Sequence, residues 1–228
     1  GEEVSFTTLA ILPTIGTSSV SDITSSSATI SSSVTSDGGA TVTERGVVYS
    51  TSSNPTTSNS KIVSGSGLGS FECKLTSLNY ATTYYVRSYA VNEIGVAYGE
   101  EVSFTTLAIL PTIGTSLVSN ITSSSATISS SVVSDGGASV TERGVVYSTS
   151  NNPTTSNSKV TCGSGIDLFT CNLNSLQPST TYYARAYAIN SVGTAYGEEV
   201  SFTTNGTDNG YEYVDLGLSV KWATCNVG

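Results

Sequence analysis

The octet GEEVSFTT occurs three times in this chain, beginning at Gly1, Gly99 and Gly197, so the spacing is 98 residues both times. A fixed period of that length constrains the fold more than any single motif does. A unit of roughly 100 residues can close a hydrophobic core of its own, which a solenoid repeat of about 30 cannot. Two independent domains in tandem are therefore expected. In its second and third occurrences the octet ends a repeat. In the first it precedes one, so residues 1–8 read as the last strand of a preceding repeat in a longer array. The expected division is residues 1–8, 9–106, 107–204 and 205–228.

Within the first repeat, alternating Val, Ile, Thr, Tyr and Phe lie between clusters of Gly, Asn, Pro and Ser, the pattern of short strands and tight turns. It predicts strands over 15–23, 28–35, 43–50, 61–64, 71–75, 83–91 and 96–105, and the second repeat gives the same map 98 residues on. Seven short strands with turn signals about every ten residues predict an all-β fold, a sandwich in each repeat. The turns are SDGG at Ser36–Gly39, SSNP at Ser52–Pro55, GSG at Gly65–Gly67 and NEIG at Asn92–Gly95.

Leu176–Asn190 reads LQPSTTYYARAYAIN, and Leu78–Asn92 is its counterpart. This stretch resembles the fibronectin type III pattern, in which Leu-x-Pro-x-Thr-x-Tyr leads into a strand ending Ala-x-Asn. Tyr80 stands where Pro178 keeps the usual residue. The resemblance implies an immunoglobulin-like sandwich in which Tyr84 and Tyr182 form the tyrosine corner. It also implies a Trp on the second strand, where this chain has Ser32 and Ser130; Tyr49 and Tyr147 are expected to fill that space. The segments TERGVVYSTSSNPT and YAVNEIGVAYGEEVSFTT are similar to fibronectin-like repeats of Bacteroidetes surface proteins. Tyr211–Gly228 resembles the opening of the Fibrobacter succinogenes major paralogous domain. These likenesses imply an extracellular, cell-surface setting and no cofactor.

The chemistry a sequence can exclude follows from its side chains. There is no His, which removes imidazole bases and His-based triads. Eight Lys and Arg against seventeen Asp and Glu leave a net charge of −9 and no basic stripe for nucleic acid. No apolar run reaches the roughly 18 residues of a membrane span. Adjacent Glu100 and Glu101 point to opposite faces of a strand and cannot share a proton. Asp37 with Glu44, and Asp135 with Glu142, are candidate calcium corners, but two carboxylates fall short of the six or more oxygens such a cation takes. No enzyme activity is expected.

Two features carry binding or covalent chemistry. Alternation places Tyr85, Arg87 and Tyr89, and likewise Tyr183, Arg185 and Tyr187, on the outer face of their sheet. Such a row can grip a glycan or another surface protein, or can serve only as cross-strand pairs on a solvated face. Among the four cysteines, Cys73 and Cys171 are repeat equivalents, while Cys162 replaces Ser64. Cys162 and Cys171 are expected to face each other across a GSGIDL hairpin, either bonded or as two buried thiols; an oxidising location favours the bond.

The joint TTLAILPTIG (Thr105–Gly114) is short and apolar and predicts a stiff connection with Leu107 and Ile109 buried. TTNGTDNG (Thr203–Gly210) predicts a flexible linker. The leading functional expectation is a spacer or stalk that presents a terminal domain. The alternative is an adhesin or glycan- or protein-binding module that uses the Tyr–Arg face. Val4–Thr7 and Tyr211–Trp222 are expected to pair with a sheet edge of this chain or a neighbouring molecule.

Overall fold

Every regular element in the computed structural model of the protein is a strand, as the alternation requires; residues 1–208, 211–214 and 222–223 are described. The chain forms two units, Gly1–Ala108 and Ile109–Gly228. In the first, β1 (Thr14–Ile15), β2 (Ser19–Ser21), β3 (Ala28–Ser36) and β6 (Gly69–Leu75) make one antiparallel sheet. The second sheet holds β4 (Glu44–Ser50), β5 (Ser60–Val63), β7 (Thr83–Asn92), β8 (Gly95–Tyr98) and β9 (Val102–Thr105). The second unit repeats this with β10 (Thr112–Ile113), β11 (Leu117–Ser119), β12 (Ser125–Ser134) and β15 (Asp167–Asn174) against β13 (Glu142–Ser148), β14 (Ser158–Thr161), β16 (Thr181–Asn190), β17 (Gly193–Tyr196) and β18 (Val200–Thr203).

The alternation is visible in burial. Ala28, Ile30, Ser32 and Val34 of β3, Phe71, Cys73 and Leu75 of β6, and Tyr84, Val86, Ser88 and Ala90 of β7 all point inward. With Val47 and Phe104 they fill the core between the sheets, and Ile128, Phe169, Leu173, Tyr182 and Phe202 do the same in the second unit. The unit is therefore a β-sandwich.

Each sandwich has nine strand segments among the described residues, where seven strands are expected. The expected strand 15–23 is broken into β1 and β2, which pair in succession with one side of β3. The register slips between Thr14 and Ile15, and Ser18 turns its hydroxyl inward to Ser32 and Ser88 (3.2 and 2.8 Å). Ser32 is thus part of a serine cluster between the sheets, and Tyr49 packs near Tyr84 (ring centroids 6.3 Å). Strand 96–105 likewise splits into β8 and β9 along β7, because Gly99 donates its N–H to Ser88 and accepts the Arg87 guanidinium.

The turn SDGG is set by Gly38. Its φ is +70°, and a Cβ there would lie 2.2 Å from the Ile11 carbonyl oxygen. Asn92 locks the same corner: its Nδ2 donates to the Ile11 and Asp37 carbonyls, and its Oδ1 accepts from Ile94 and Gly95. Asn190 does this in the second unit with Ile109 and Asp135.

Three expectations about the ends and the joint need correction. Gly1–Thr8 forms no strand in its own chain, and Val4 and Phe6 are 85 and 88% exposed. Leu107 is 56% exposed; its backbone is used instead, bonding Thr24 and Ala81 within the first unit. Ile109 is half-buried and bonds Gly136 within the second. The expected flexible stretch after Thr203 is partly ordered. Asn205 bonds Thr122, Ser179 and the Ile121 carbonyl, and β19 (Gly206–Asp208) pairs with β20 (Tyr211–Val214), which pairs with β21 (Trp222–Ala223). The second orphan segment thus pairs in this small sheet; its residues 215–221 lie outside the described ones.

Candidate functional site

The outer face of the second sheet was the place where the sequence put a binding row. Ladder register sets its members: Gly46 lies opposite Tyr89, Val48 opposite Arg87, Ser50 opposite Tyr85, and Tyr98 beside Tyr89 on the far side. The phase is as expected, but the exposure is not. Tyr89 and Tyr187 are fully buried, Tyr85, Arg87, Tyr183 and Arg185 are half-buried, and Val48 and Val146 are fully buried although they lie outside the core cluster.

The chain covers this face itself. The loop between β4 and β5 is tethered over it: Thr57 donates its N–H to the Tyr98 hydroxyl (2.9 Å) and shares a second bond through Oγ1 (3.0 Å). Asn54 donates to the Glu101 carboxylate, and Pro55 between them is buried. Arg87 stacks on Tyr98 (4.7 Å to the ring centroid) while its Nε bonds the Gly99 carbonyl. Thr155, Asn152, Pro153, Tyr196, Glu199 and Arg185 repeat every contact in the second unit. The SSNP stretch, read as a plain turn, thus belongs to a loop latched to Tyr98 and Glu101.

Tyr89 is buried on this face, opposite Gly46, which has no side chain. A Cβ at Gly46 would sit 2.0 Å from the Ile62 carbonyl oxygen, and at Gly144 one would also meet the Tyr187 ring at 3.0 Å. The Tyr89 hydroxyl donates to Glu44 (2.6 Å), and Lys61 pairs with the same oxygen (2.9 Å). The Tyr89 bond, followed by Lys61, holds the Glu44 carboxyl below its usual range; in the second unit Lys159 leads and Tyr187 follows at Glu142. Burial and then the carboxylate push the Tyr89 hydroxyl well above its usual range, and Tyr187 moves the same way. A phenol held in its protonated form braces the sheet and is a poor proton carrier near neutrality.

At the candidate calcium corners each carboxylate is engaged by groups of its own unit. Glu44 and Glu142 are turned to tyrosine and lysine, while Asp37 and Asp135 accept the N–H of Gly39 and Gly137 in their own turns. The carboxylates of each pair serve separate partners. Among the described residues no group of three or more His, Cys, Asp or Glu converges.

Cys162 and Cys171 are joined in a disulfide with Cα atoms 5.8 Å apart. The expected hairpin is wrong: Cys162 follows β14, which pairs with β13, whereas Cys171 is in β15, which pairs with β12. The bond therefore ties one sheet to the other along an open edge. In the first unit Cys73 is a free, buried thiol whose pKa burial raises, and Ser64 bonds the Glu72 carbonyl instead. Cys225 lies outside the described residues. Tyr84 and Tyr182 each sit in the core and accept the backbone N–H of Asn79 or Gln177, five residues upstream (3.0 Å).

One pair of residues escaped the sequence reading. Arg45 sits at an inward position of β4, where its guanidinium collects the carbonyls of Gly67, Leu68 and Gly69 and lies over the Phe71 ring (5.3 Å). Arg143 does the same at Gly165, Ile166 and Asp167 over Phe169. These arginines hold the loop that crosses between the sheets. A charge in the inward phase of an apolar strand, in TERGVVY, was the available signal. Compared with known proteins, the chain matches no family model and no curated sequence.

Proposed function

We propose that this chain is a non-catalytic extracellular spacer of a bacterial cell-surface protein, built of fibronectin type III-like modules that present a further domain away from the cell. The observation that supports it is that these polar groups are used within their own unit. The arginines, the Tyr89–Glu44–Lys61 set and the Asn92 clamp all bond their own unit, and all recur 98 residues later. Side chains that brace the unit from within suit a part copied for length.

The spacer reading is tested by carrying the chain on a cell surface between an anchor and an epitope. Removing residues 99–196, one full period, should lower access of a bulky antibody conjugate to the epitope. Tyr85→Ser with Tyr183→Ser should leave access unchanged and should alter no glycan or cell binding. Saturable binding by the parent chain that this double variant abolishes would favour the adhesin reading instead.

A further inference from the structure

We infer that β15 is an open sheet edge at which the second unit pairs with a second copy of this chain, strand to strand across a two-fold axis. An edge strand presents a row of unpaired N–H and C=O groups, and folded proteins blunt it by keeping it short or by placing charge on it. The other edges of the second sandwich are blunted in this way. β10 and β11 have two and three residues, β17 and β18 have four each, and β14 has four with Lys159 among them. β15 has eight, Asp167–Asn174, and among the described strands it pairs with β12 alone.

Backbone alternation fixes which residues look off that edge. Gly114 donates its N–H to the Ser131 carbonyl, so Ser129 and Ser131 turn their backbone groups to the β10–β11 side of β12. Ile128 and Ser130 turn theirs to β15, where Cys171 and Phe169 face back. The N–H and C=O of Leu168, Thr170 and Asn172 therefore point away from β12. Arg143 reaches only the Leu168 carbonyl of this row, at 3.5 Å. All three side chains are exposed, Leu168 by 81%. The counterpart strand β6 is protected at the same places. Ser70, Glu72 and Lys74 stand there, and the Ser64 hydroxyl caps the Glu72 carbonyl (3.2 Å). In the second unit Ser70 gives way to Leu168, Glu72 to Thr170 and Lys74 to Asn172. The serine cap is lost as well, because Cys162 holds its place and is bonded to Cys171. All four changes open the edge.

Charge identifies the occupant. The chain carries −9 overall, which sets copies against one another, yet the one charged residue of β15 is Asp167 at its first position. A two-fold axis perpendicular to the sheet at Thr170 pairs the two strands antiparallel and sets Leu168 of each copy opposite Asn172 of the other. The two Asp167 side chains then lie about 20 Å apart, well beyond the screening length of about 8 Å at physiological salt. Parallel pairing would set them side by side. Glu72 and Lys74 keep β6 from the same contact, so each chain has one such edge and assembly closes at two. One strand from each side is a contact below the roughly 1,200 Å² of a stable interface, so the dimer is weak. It joins chains laterally and does not depend on the spacer reading.

Sedimentation equilibrium of the full chain up to about 1 mM, the weak end of specific association, should show the average mass rising toward that of a dimer. Thr170→Lys with Asn172→Lys should hold the chain monomeric over the whole range, and so should Thr170→Glu with Asn172→Glu. An equimolar mixture of these two variants should associate again, because opposite charges then face each other across the axis. Both positions are exposed and the first unit carries Glu72 and Lys74 there, so the fold tolerates the charges; an unchanged melt of the dilute variants checks this. Amide exchange at Leu168, Thr170 and Asn172 should slow as concentration rises, while that at Ser70, Glu72 and Lys74 should not. A parent chain that stays monomeric at about 1 mM, a lysine variant that still associates, or a mixture that does not, would overturn the inference. So would association that survives in the lysine variant's place but is lost in Leu117→Ser with Val133→Thr, which restore first-unit residues on the outer face of the same sheet and would mark face-to-face stacking instead.

Discussion

Asp167 stands where the first unit has Gly69, and both adopt left-handed backbone, φ +81° and +99°. A side chain makes that conformation costly, by about 1 kcal/mol. Asp167→Gly should therefore raise the stability of the second unit by about that amount, read as a higher urea midpoint. Tyr89 offers a sharper test. Glu44 binds its proton less tightly in the folded chain than in the unfolded one. Its contribution is complete above the ordinary value near 4.5 and disappears as pH falls through the lower folded value. Tyr89 holds its proton more tightly when folded. Its contribution is complete below the ordinary value near 10 and disappears as pH rises through the higher folded one. Thermal melts should give a plateau between these limits. Tyr89→Phe should cost about 1 kcal/mol on the plateau and flatten the alkaline limb for the first unit. An unchanged alkaline limb would show that another group sets it.

At the scale of elements, the disulfide distinguishes two otherwise matching sandwiches. Cys162→Ser should lower the second unit's stability by about 2–3 kcal/mol, from the loop the bond closes in the unfolded chain. Ser64→Cys places a thiol beside Cys73 in the equivalent position, and under oxidising conditions should raise the first unit by a comparable amount. Mass spectrometry of the bridged peptides, alongside melts with and without reductant, checks both. The strands themselves were legible, since period-two alternation determines which residues share a face. Alternation does not say which face water reaches. Tyr89 was placed on the correct side of its sheet and still misread as exposed, because Lys61, 28 residues away, lies over its ring (5.9 Å to the centroid) and Glu44 takes its hydroxyl. The hairpin assigned to Cys162 and Cys171 failed for a related reason. A nine-residue separation fits a turn within one sheet and a crossing between two equally well; the pairing of β14 with β13 and of β15 with β12 decides for the crossing, and Arg143 bonds the carbonyls of the loop that makes it.

For the whole molecule, the 98-residue period was the most informative feature; the structure forms two units, Gly1–Ala108 and Ile109–Gly228. The joint was read from its apolar letters, whereas its backbone is used within the flanking units: Leu107 bonds the first and Ile109 the second. Such bonds carry no side-chain signature, so composition could not reveal them. The two units are expected to melt as separate transitions, with Asp167→Gly and Cys162→Ser moving only the second; a common shift of both would show that they unfold together. The cross-sheet bond has a further consequence if the chain is pulled from its ends. A sandwich that yields under tension releases its full length of backbone, but the span from Cys162 to Cys171 stays shorted. The second unit would then pay out about 30 Å less than the first, roughly 3.5 Å for each of the nine residues bypassed. A reducing environment restores that slack, so the reach of the overstretched chain depends on the oxidation state of its surroundings.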